Sequence, residues 1–147
     1  MSFEITVFGK PRSRGSKRAV TTKTGRTLLL DSDVHSRDWV DAIRAEAGAR
    51  WHWRVLSGPV KLEVTFVFVR PKSHYGTGRN ASVLKPMSPE RHIQKPDIDK
   101  SLRGVLDALT GVVYRDDCQV CVIDAQKRWA LSCEDDAART IIRVVEL

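Results

Sequence analysis

Residues 95–117, KPDIDKSLRGVLDALTGVVYRDD, constrain most strongly what this chain can fold into. The apolar residues of this stretch recur at the spacing of an amphipathic helix: Ile98, Leu102, Val105, Leu106 and Leu109. Thr110 and Gly111 follow them, and glycine is typical of a helix end. The stretch also holds five aspartates, although the formal net charge of the chain is +7. The sequence therefore predicts a helix over residues 98–110 that packs on a core and carries acids off its apolar stripe.

The aspartates at the start of this helix have two interpretations. Asp97 and Asp99 lie where free N–H groups and the helix dipole favour anions, and Asp97 is a plausible cap. That structural reading accounts for one of them, but not for Asp116 and Asp117 further on. Converging carboxylates repel each other unless a cation lies among them, and Mg²⁺ prefers oxygen ligands. We expect residues 111–116 to extend back along the helix, so that Asp117 meets Asp97 and Asp99 around a metal ion.

A metal held in this way can activate water and stabilise the leaving oxygen when a phosphodiester is cleaved. Arg103, one helical turn after Asp99, is the best placed side chain to stabilise the phosphate. An i,i+4 ion pair between Asp99 and Arg103 is the structural alternative. Asp107 lies two turns from Asp99, roughly 12 Å along the axis, and we assign it to structure.

The charge of the chain favours nucleic acid as a partner. Lys and Arg number 25 against 18 Asp and Glu, and basic side chains gain affinity for phosphates by releasing counterions. Two loops, residues 9–27 and 71–95, concentrate this charge. The first has no acid between Glu4 and Asp31. This pattern predicts a loop or loose hairpin that binds phosphates, with a solvated loop as the alternative. The second has no periodicity and reads as a mobile flap near the site.

Alternation and periodicity predict a single α+β domain over residues 1–147. We expect a mixed sheet of about four strands, residues 3–8, 60–70, 118–130 and 138–146, with 60–70 central. Two main helices, residues 36–51 and 98–110, pack on it. Ser36 is the expected N-cap of the first helix. A short strand at 27–30 and a turn at 132–136 complete the prediction.

Isolated polar and aromatic residues carry weaker signals. Solvated positions are expected for His74 and His92, with a catalytic role as the alternative. Trp39, Trp51 and Trp53 are expected in the core or an interface, with base stacking as the alternative.

Three cysteines, Cys118, Cys121 and Cys133, are an odd number that argues against a disulfide framework and fits a reducing compartment. Cys118 and Cys121 form a C-x-x-C, but in a strand that spacing sends their side chains to opposite faces, and no second pair of ligands lies nearby. No apolar run reaches the ~20 residues of a membrane span, and no signal peptide opens the chain. The expected location is the cytoplasm.

The run KPDIDKSLRGVLDALTGVVYRDDCQV resembles the signature of the RusA family of Holliday junction resolvases, small Mg-dependent endonucleases of bacteria and prophages. The similar features are an Asp-x-Asp opening a helix, Asp-Ala-Leu ten residues on, and a closing Asp-Asp followed by Gln-Val. GKPRSRGSKR and RPKSHYGTGRN resemble the phage-type branch. The resemblance implies that Asp97, Asp99 and Asp117 are the metal-binding catalytic residues, and that Asp116 matches a secondary acidic position. It also implies a homodimer with one active site per subunit.

This sequence departs from the family pattern at the helix cation. The position that matches the family's important lysine is Arg103, and Asp99-Lys100-Ser101 stands where the family often has Asp-Asn-Leu. Arginine keeps the charge but not the geometry of an ammonium. Lys100 is therefore the alternative source of positive charge at the site.

The function expected from the sequence is Mg²⁺-dependent cleavage of branched DNA in recombination and repair, by paired nicks at a four-way junction, with Mn²⁺ as a substitute metal. We expect DNA to be bound by basic residues of both loops, the helix and a strand: Lys10, Arg12, Arg14, Lys17, Arg18, Lys72, Arg79, Lys95, Lys100 and Lys127. One alternative is a protein that binds branched DNA without cutting it. Another is a metal phosphohydrolase acting on small nucleotides, against which the basic loops and the lack of a glycine-rich phosphate cradle both count.

Overall fold

A computed structural model describes residues 1–15, 17–131 and 137–147 of the chain. Its strands and helices follow the alternation and the helical periodicity of the sequence. In chain order they are β1 (Ser2–Phe8), β2 (Lys17–Thr21), β3 (Thr27–Asp31), α1 (Ser36–Arg50), β4 (Val60–Phe68), α2 (Ile98–Leu109), β5 (Val120–Trp129) and β6 (Arg139–Glu146).

The main sheet has four strands in the order β1-β6-β4-β5. β6 pairs antiparallel with both β1 and β4, whereas β5 pairs parallel with β4. The predicted mixed sheet of four strands with two helices is therefore confirmed, and β4 is central as expected. Its last residues, Phe66, Val67 and Phe68, are all buried, which explains why its far end is apolar on both faces. The connection from β4 to β5 runs through a long loop and α2.

Both helices cover one face of this sheet and form the core with it. Trp39 of α1 packs on Phe66 of β4, with ring centroids 6.3 Å apart. α2 buries Val105, Ala108 and Leu109, and α1 approaches it closely at Gly104. The opposite face, which we call the open face, carries partly exposed polar side chains because neither of the described helices covers it.

The ends of the helices differ in detail from the sequence predictions. The N-cap of α1 is His35, not Ser36, which is the first helical residue and is buried. Asp97 is the N-cap of α2 as expected, but its side chain makes no capping hydrogen bond. The peptide bond between Lys95 and Pro96, just before this helix, is cis. Strand β5 begins two residues later than predicted, and Cys118 lies in a 3₁₀ turn ahead of it.

The first basic loop forms a hairpin over its second half. β2 and β3 pair antiparallel, and Lys17 stands opposite Asp31, with which it forms an ion pair. The predicted short strand at 27–30 is thereby confirmed. Ser16 within the first basic loop, and the predicted turn at 132–136 with Cys133, lie outside the described residues.

The second basic loop has more structure than the sequence indicated. It contains 3₁₀ turns at Lys72–His74 and Gly78–Asn80 and an isolated bridge between Tyr75 and Leu84. The segment is a long loop, as its lack of periodicity indicated, and these turns satisfy part of its own backbone. Its mobility stays a prediction.

Aromatic residues lie mostly where expected. Trp39 and Trp51 are buried, whereas Trp53 is half exposed and packs edge-on against Phe3 and Trp51. In the described part of the chain, no helix combines the length and the apolar character needed to cross a membrane.

The close contact between the helices gives a test of the packing. A Cβ on Gly104 would lie 2.6 Å from Cζ3 of Trp39, a buried ring that cannot move aside. We expect Gly104→Ala to lower the free energy of unfolding by about 1–3 kcal/mol, measured by denaturant titration. The control is Gly48→Ala in α1, where a Cβ meets nothing within 4 Å; it should be neutral or stabilise by up to about 1 kcal/mol. Equal effects of the two variants would contradict this packing.

Candidate nucleic-acid interface

The first half of the first basic loop, residues 10–15, lies along α2, and we call it the basic arm. Ser101, a fully buried residue of α2, donates from Oγ to the carbonyl oxygen of Arg12 at 2.8 Å. The backbone N–H of Arg14 donates to the carbonyl of Lys100 at 3.0 Å. The arm is thus tied to the helix rather than left free in solvent, as a flexible loop would be.

Charged side chains reinforce this attachment. Arg14 forms an ion pair with Asp107, with Nε 3.0 Å from Oδ2. Arg103 lies over Gly15, where an added Cβ would be 2.9 Å from its Nη1 atom. Asp99 forms an ion pair with Lys100 rather than with Arg103, with Nζ of the lysine 3.8 Å from Oδ2 of the aspartate. Of the two candidate cations, Lys100 is therefore the one that lies beside Asp99.

A cleft of about 370 Å³ opens where the basic arm meets the start of α2. We call it the basic cleft. Four of its lining residues are predicted DNA contacts, and two are carboxylates: Lys10, Arg12, Lys95, Lys100, Asp33 and Asp97. Four cations against two acids leave an excess of positive charge, which favours a phosphate group. The structure therefore brings together residues from three separate parts of the sequence at one anion-attracting site.

The two aspartates at this end of α2 keep access to solvent. Asp97 borders the basic cleft and Asp99 follows one step into the helix, and both residues are exposed. Because Asp97 makes no capping hydrogen bond, its carboxylate is not used by the helix start. Carboxylates that keep access to water suit Mg²⁺, which binds through one or two of them and retains several waters. These two side chains fit that role.

Asp117 lies at the opposite end of α2. The helix has 12 residues and is about 18 Å long. Residues 110–114 turn at its end, with Gly111 N–H bonded to the carbonyl of Tyr114 and Val113 N–H to that of Leu109. The expected extended return of residues 111–116 is therefore wrong. β5 makes the return instead, so the side chain that reaches the start of α2 is Lys127, which donates to the Pro96 carbonyl.

The three predicted metal ligands are accordingly not gathered in one chain. Within residues 1–15, 17–131 and 137–147, no three His, Cys, Asp or Glu side chains are grouped so that they could hold a metal ion. The ligand set Asp97, Asp99 and Asp117 stays a prediction.

The neighbour of Asp117 has a structural role. Asp116 caps the 3₁₀ turn Asp117–Gln119: its carboxylate accepts from the Cys118 N–H, and its own N–H donates to the Gln119 side chain. The Cys118 N–H holds the pKa of the Asp116 carboxyl below its usual value. Burial raises the pKa of the Tyr114 phenol, and the charges of Asp117 and Asp107 act in the same direction.

The remaining predicted DNA contacts are spread over the surface. Lys72 and Arg79 line a separate depression of about 470 Å³ on the second basic loop. Arg18 is exposed on β2, and Lys17 is already paired with Asp31. Lys127 donates to two backbone carbonyls, those of Gln94 and Pro96.

Sequence reasoning missed two residues of this region. Ser101 carried a usable signal, because one small hydroxyl on the buried side of an amphipathic helix needs a hydrogen-bond partner. Asp33 carried none, since nothing local connects the segment after β3 with the basic cleft.

A second cleft of about 400 Å³ adjoins the first and shares Lys10 and Lys95 with it. Its wall contains His92, whose ring stacks on the ring of Phe68 and packs at a tilt against the ring of Trp129. The ring centroids are 3.9 Å and 4.4 Å apart, respectively. His74 packs edge-on against the same tryptophan. Both histidines are buried, so the expectation of solvated positions is wrong. Burial lowers the pKa of His92, and the charges of Lys127 and Lys10 add to this.

The low pKa of His92 makes stability depend on pH. Between the lowered folded pKa and the unfolded value of 6.5, the unfolded state binds a proton that the folded state does not. The free energy of unfolding therefore falls as pH drops below about 6.5, by up to about 1.4 kcal/mol per unit for this group. We expect His92→Phe to flatten this dependence between pH 7 and 5 in denaturant titrations. His52→Phe, at an exposed position, should keep the wild-type slope; an unchanged slope in His92→Phe would contradict the assignment.

A family model and a bacterial relative both match most of the chain. The family model "Endodeoxyribonuclease RusA" matches residues 7–144, which include both basic loops, α2 and all three predicted metal ligands. The chain is also similar to the "Uncharacterized protein YqaN" of Bacillus subtilis (strain 168), with 26% identity over 147 residues, 97% of this chain and 96% of that protein. Because the family match spans nearly the whole domain, the chain belongs to the RusA endodeoxyribonuclease family.

Proposed function

We propose that this protein is a Mg²⁺-dependent endonuclease that resolves four-way DNA junctions by paired nicks, in DNA recombination and repair. The observation that carries the proposal is the basic cleft: four cations converge there on Asp97, one residue before α2 and two before Asp99. Membership of an endodeoxyribonuclease family makes DNA the polyanion to which this charge is directed.

The residues of the basic cleft divide the binding task. Lys10 and Arg12, on the arm, and Lys95, before the helix, offer ammonium and guanidinium groups to successive phosphates. The hydrogen bond from Ser101 to Arg12 keeps the arm in place, so less conformational entropy is lost when DNA binds. Lys72 and Arg79, on the second basic loop, would contact a duplex arm further from the point of cleavage.

Asp97 and Asp99 would hold the cation in this proposal. When bound, Mg²⁺ supplies Lewis-acid chemistry that activates water and stabilises the leaving oxygen. Lys100, beside Asp99, is placed to stabilise charge on the phosphate; it takes the role first given to Arg103, which lies over Gly15. Attack of water on phosphorus with departure of the 3′ oxygen leaves a 5′ phosphate and a 3′ hydroxyl.

The position of Asp117 supports a homodimer as the active form. Asp117 follows the turn at the far end of a helix about 18 Å long, so it is remote from Asp97 and Asp99 of its own chain. We propose that Asp117 of the partner subunit completes the ligand set. A two-fold dimer then carries two sites, which matches the two symmetric nicks that a four-way junction requires.

A second candidate is a protein that binds branched DNA without cleaving it. Among the described residues of one chain, no three His, Cys, Asp or Glu side chains are close enough together to bind a metal ion, and this favours the alternative. Both candidates predict binding through the basic cleft, and only cleavage separates them.

The junction assay distinguishes the candidates. Wild-type protein with Mg²⁺ should introduce paired nicks in a synthetic four-way junction but not in linear duplex, and chelation should abolish them. Asp99→Asn should lower the cleavage rate by about 100-fold or more, while junction affinity persists or rises because a charge that repels phosphate is removed. The control is Asp124→Asn, which removes the same charge from the open face and should cleave normally. Junction binding by the wild type without any nicks would establish the alternative.

Mixing inactive variants tests the shared site. If Asp117 acts across the dimer, Asp99→Asn and Asp117→Asn subunits form heterodimers with one intact site and one doubly altered site. Subunits exchanged in equal amounts should recover about a quarter of the wild-type sites, as half of the dimers are mixed, and should give single nicks. Each variant alone should be inactive. A mixture as inactive as its components would mean that all three carboxylates act within one chain.

A further inference from the structure

Lys127 stands at an unusual place for a DNA contact. It lies near the end of β5, and its partner in the adjacent strand is Phe66, whose side chain is fully buried under the helices. Paired residues of neighbouring strands project from the same face of a sheet. The Lys127 side chain therefore leaves the sheet on its helix-covered face, where an ammonium needs hydrogen-bond partners.

The partners of Lys127 are backbone atoms beside the basic cleft. Its Nζ donates to the carbonyl of Gln94 at 2.7 Å and to that of Pro96 at 2.8 Å. These two carbonyls flank Lys95, and the next residue is Asp97. An ammonium has three donors, so at most one remains for any other group.

The segment that Lys127 holds has few other attachments. Residues 93, 94 and 95 are exposed, and Pro96 has no N–H to donate. Over the described residues, the two bonds from Lys127 are the hydrogen bonds made to the backbone of residues 93–96. Without these two bonds, the backbone of residues 93–96 would be free to shift.

We propose that Lys127 is a positioning residue: its ammonium fixes the backbone of residues 94–96 and so directs Lys95 and Asp97 into the basic cleft. The role first expected for Lys127, a contact with a DNA phosphate, is replaced by this one. The activity readout rests on the proposed nuclease function, whereas the backbone readout does not.

The test compares Lys127→Met with Lys127→Arg and with a charge-matched control. Lys127→Met removes the ammonium and both of its hydrogen bonds at similar side-chain length, whereas Lys127→Arg keeps the charge and several N–H groups. Lys61→Met, on the neighbouring strand β4, removes one positive charge from the open face, where Lys61 pairs with Glu63 and Asp124. Each variant alters one lysine of the sheet, and of the two lysines it is Lys127 that bonds to the segment bordering the basic cleft.

Three measurements are made on each full-length variant. In Lys127→Met, amide hydrogen exchange over residues 94–99 should be faster, and cleavage by saturating enzyme should fall by about 10- to 100-fold. The dependence of log junction affinity on log salt concentration should keep its slope. Lys127→Arg should recover most of the cleavage, and Lys61→Met should match the wild type in all three measurements.

Two results would overturn the proposal. In Lys127→Met, the slope of log junction affinity against log salt concentration could be smaller in magnitude by about 0.9 while cleavage by the bound enzyme is unchanged. That result would make Lys127 a phosphate contact. Unchanged exchange over residues 94–99 would show that the lysine does not hold this segment. If the wild type does not cleave junctions, the proposed function fails, but hydrogen exchange still decides the role of Lys127. Should Lys127→Met not fold, Lys127→Gln, which keeps one amide donor group, takes its place in the exchange measurement.

Discussion

The contact between α1 and α2 at Gly104 determines where the candidate site can form. Because Gly104 has no side chain, the ring of Trp39 fits directly against the backbone of α2. The basic arm lies beside this contact, attached to α2 by Ser101 and Asp107, which stand about one turn before and one turn after Gly104. The aspartates at the start of the helix thereby acquire cationic neighbours from a segment more than 80 residues earlier in the sequence. A core packing requirement and the composition of the site are thus linked through one helix.

Charge is distributed unequally between the two faces of the sheet. On the open face, Lys61 pairs with Glu63 and Asp124, and Arg143 pairs with Glu63, so cations and acids neutralise one another. On the helix side, the cations of the basic cleft outnumber the acids. Part of the excess positive charge of the chain therefore lies beside the aspartates of α2, where it would attract an approaching polyanion before contact.

Local patterns in the sequence predicted most of the fold but only part of the site. The strands, both helices and the central place of β4 follow from alternation and periodicity, which are local properties. The turn after α2 does not, because it depends on distant partners: Leu56 bridges to Tyr114, and its carbonyl accepts from the Arg115 N–H. The burial of His92 likewise requires Phe68 and Trp129. The expected extended return of residues 111–116 is wrong for the same reason, since a sequence motif gives the identity of residues and not the distances between them.

The position of β6 has a consequence for biosynthesis. Although β1 and β4 come early in the sequence, they do not touch each other in the sheet; β6, the last of the described strands, lies between them. During translation, the edges of β1 and β4 that pair with β6 cannot form these backbone hydrogen bonds until residues 139–146 have left the ribosome. The backbone N–H and C=O groups along those edges of β1 and β4 remain unpaired throughout this interval, so the nascent chain is a candidate client for chaperones.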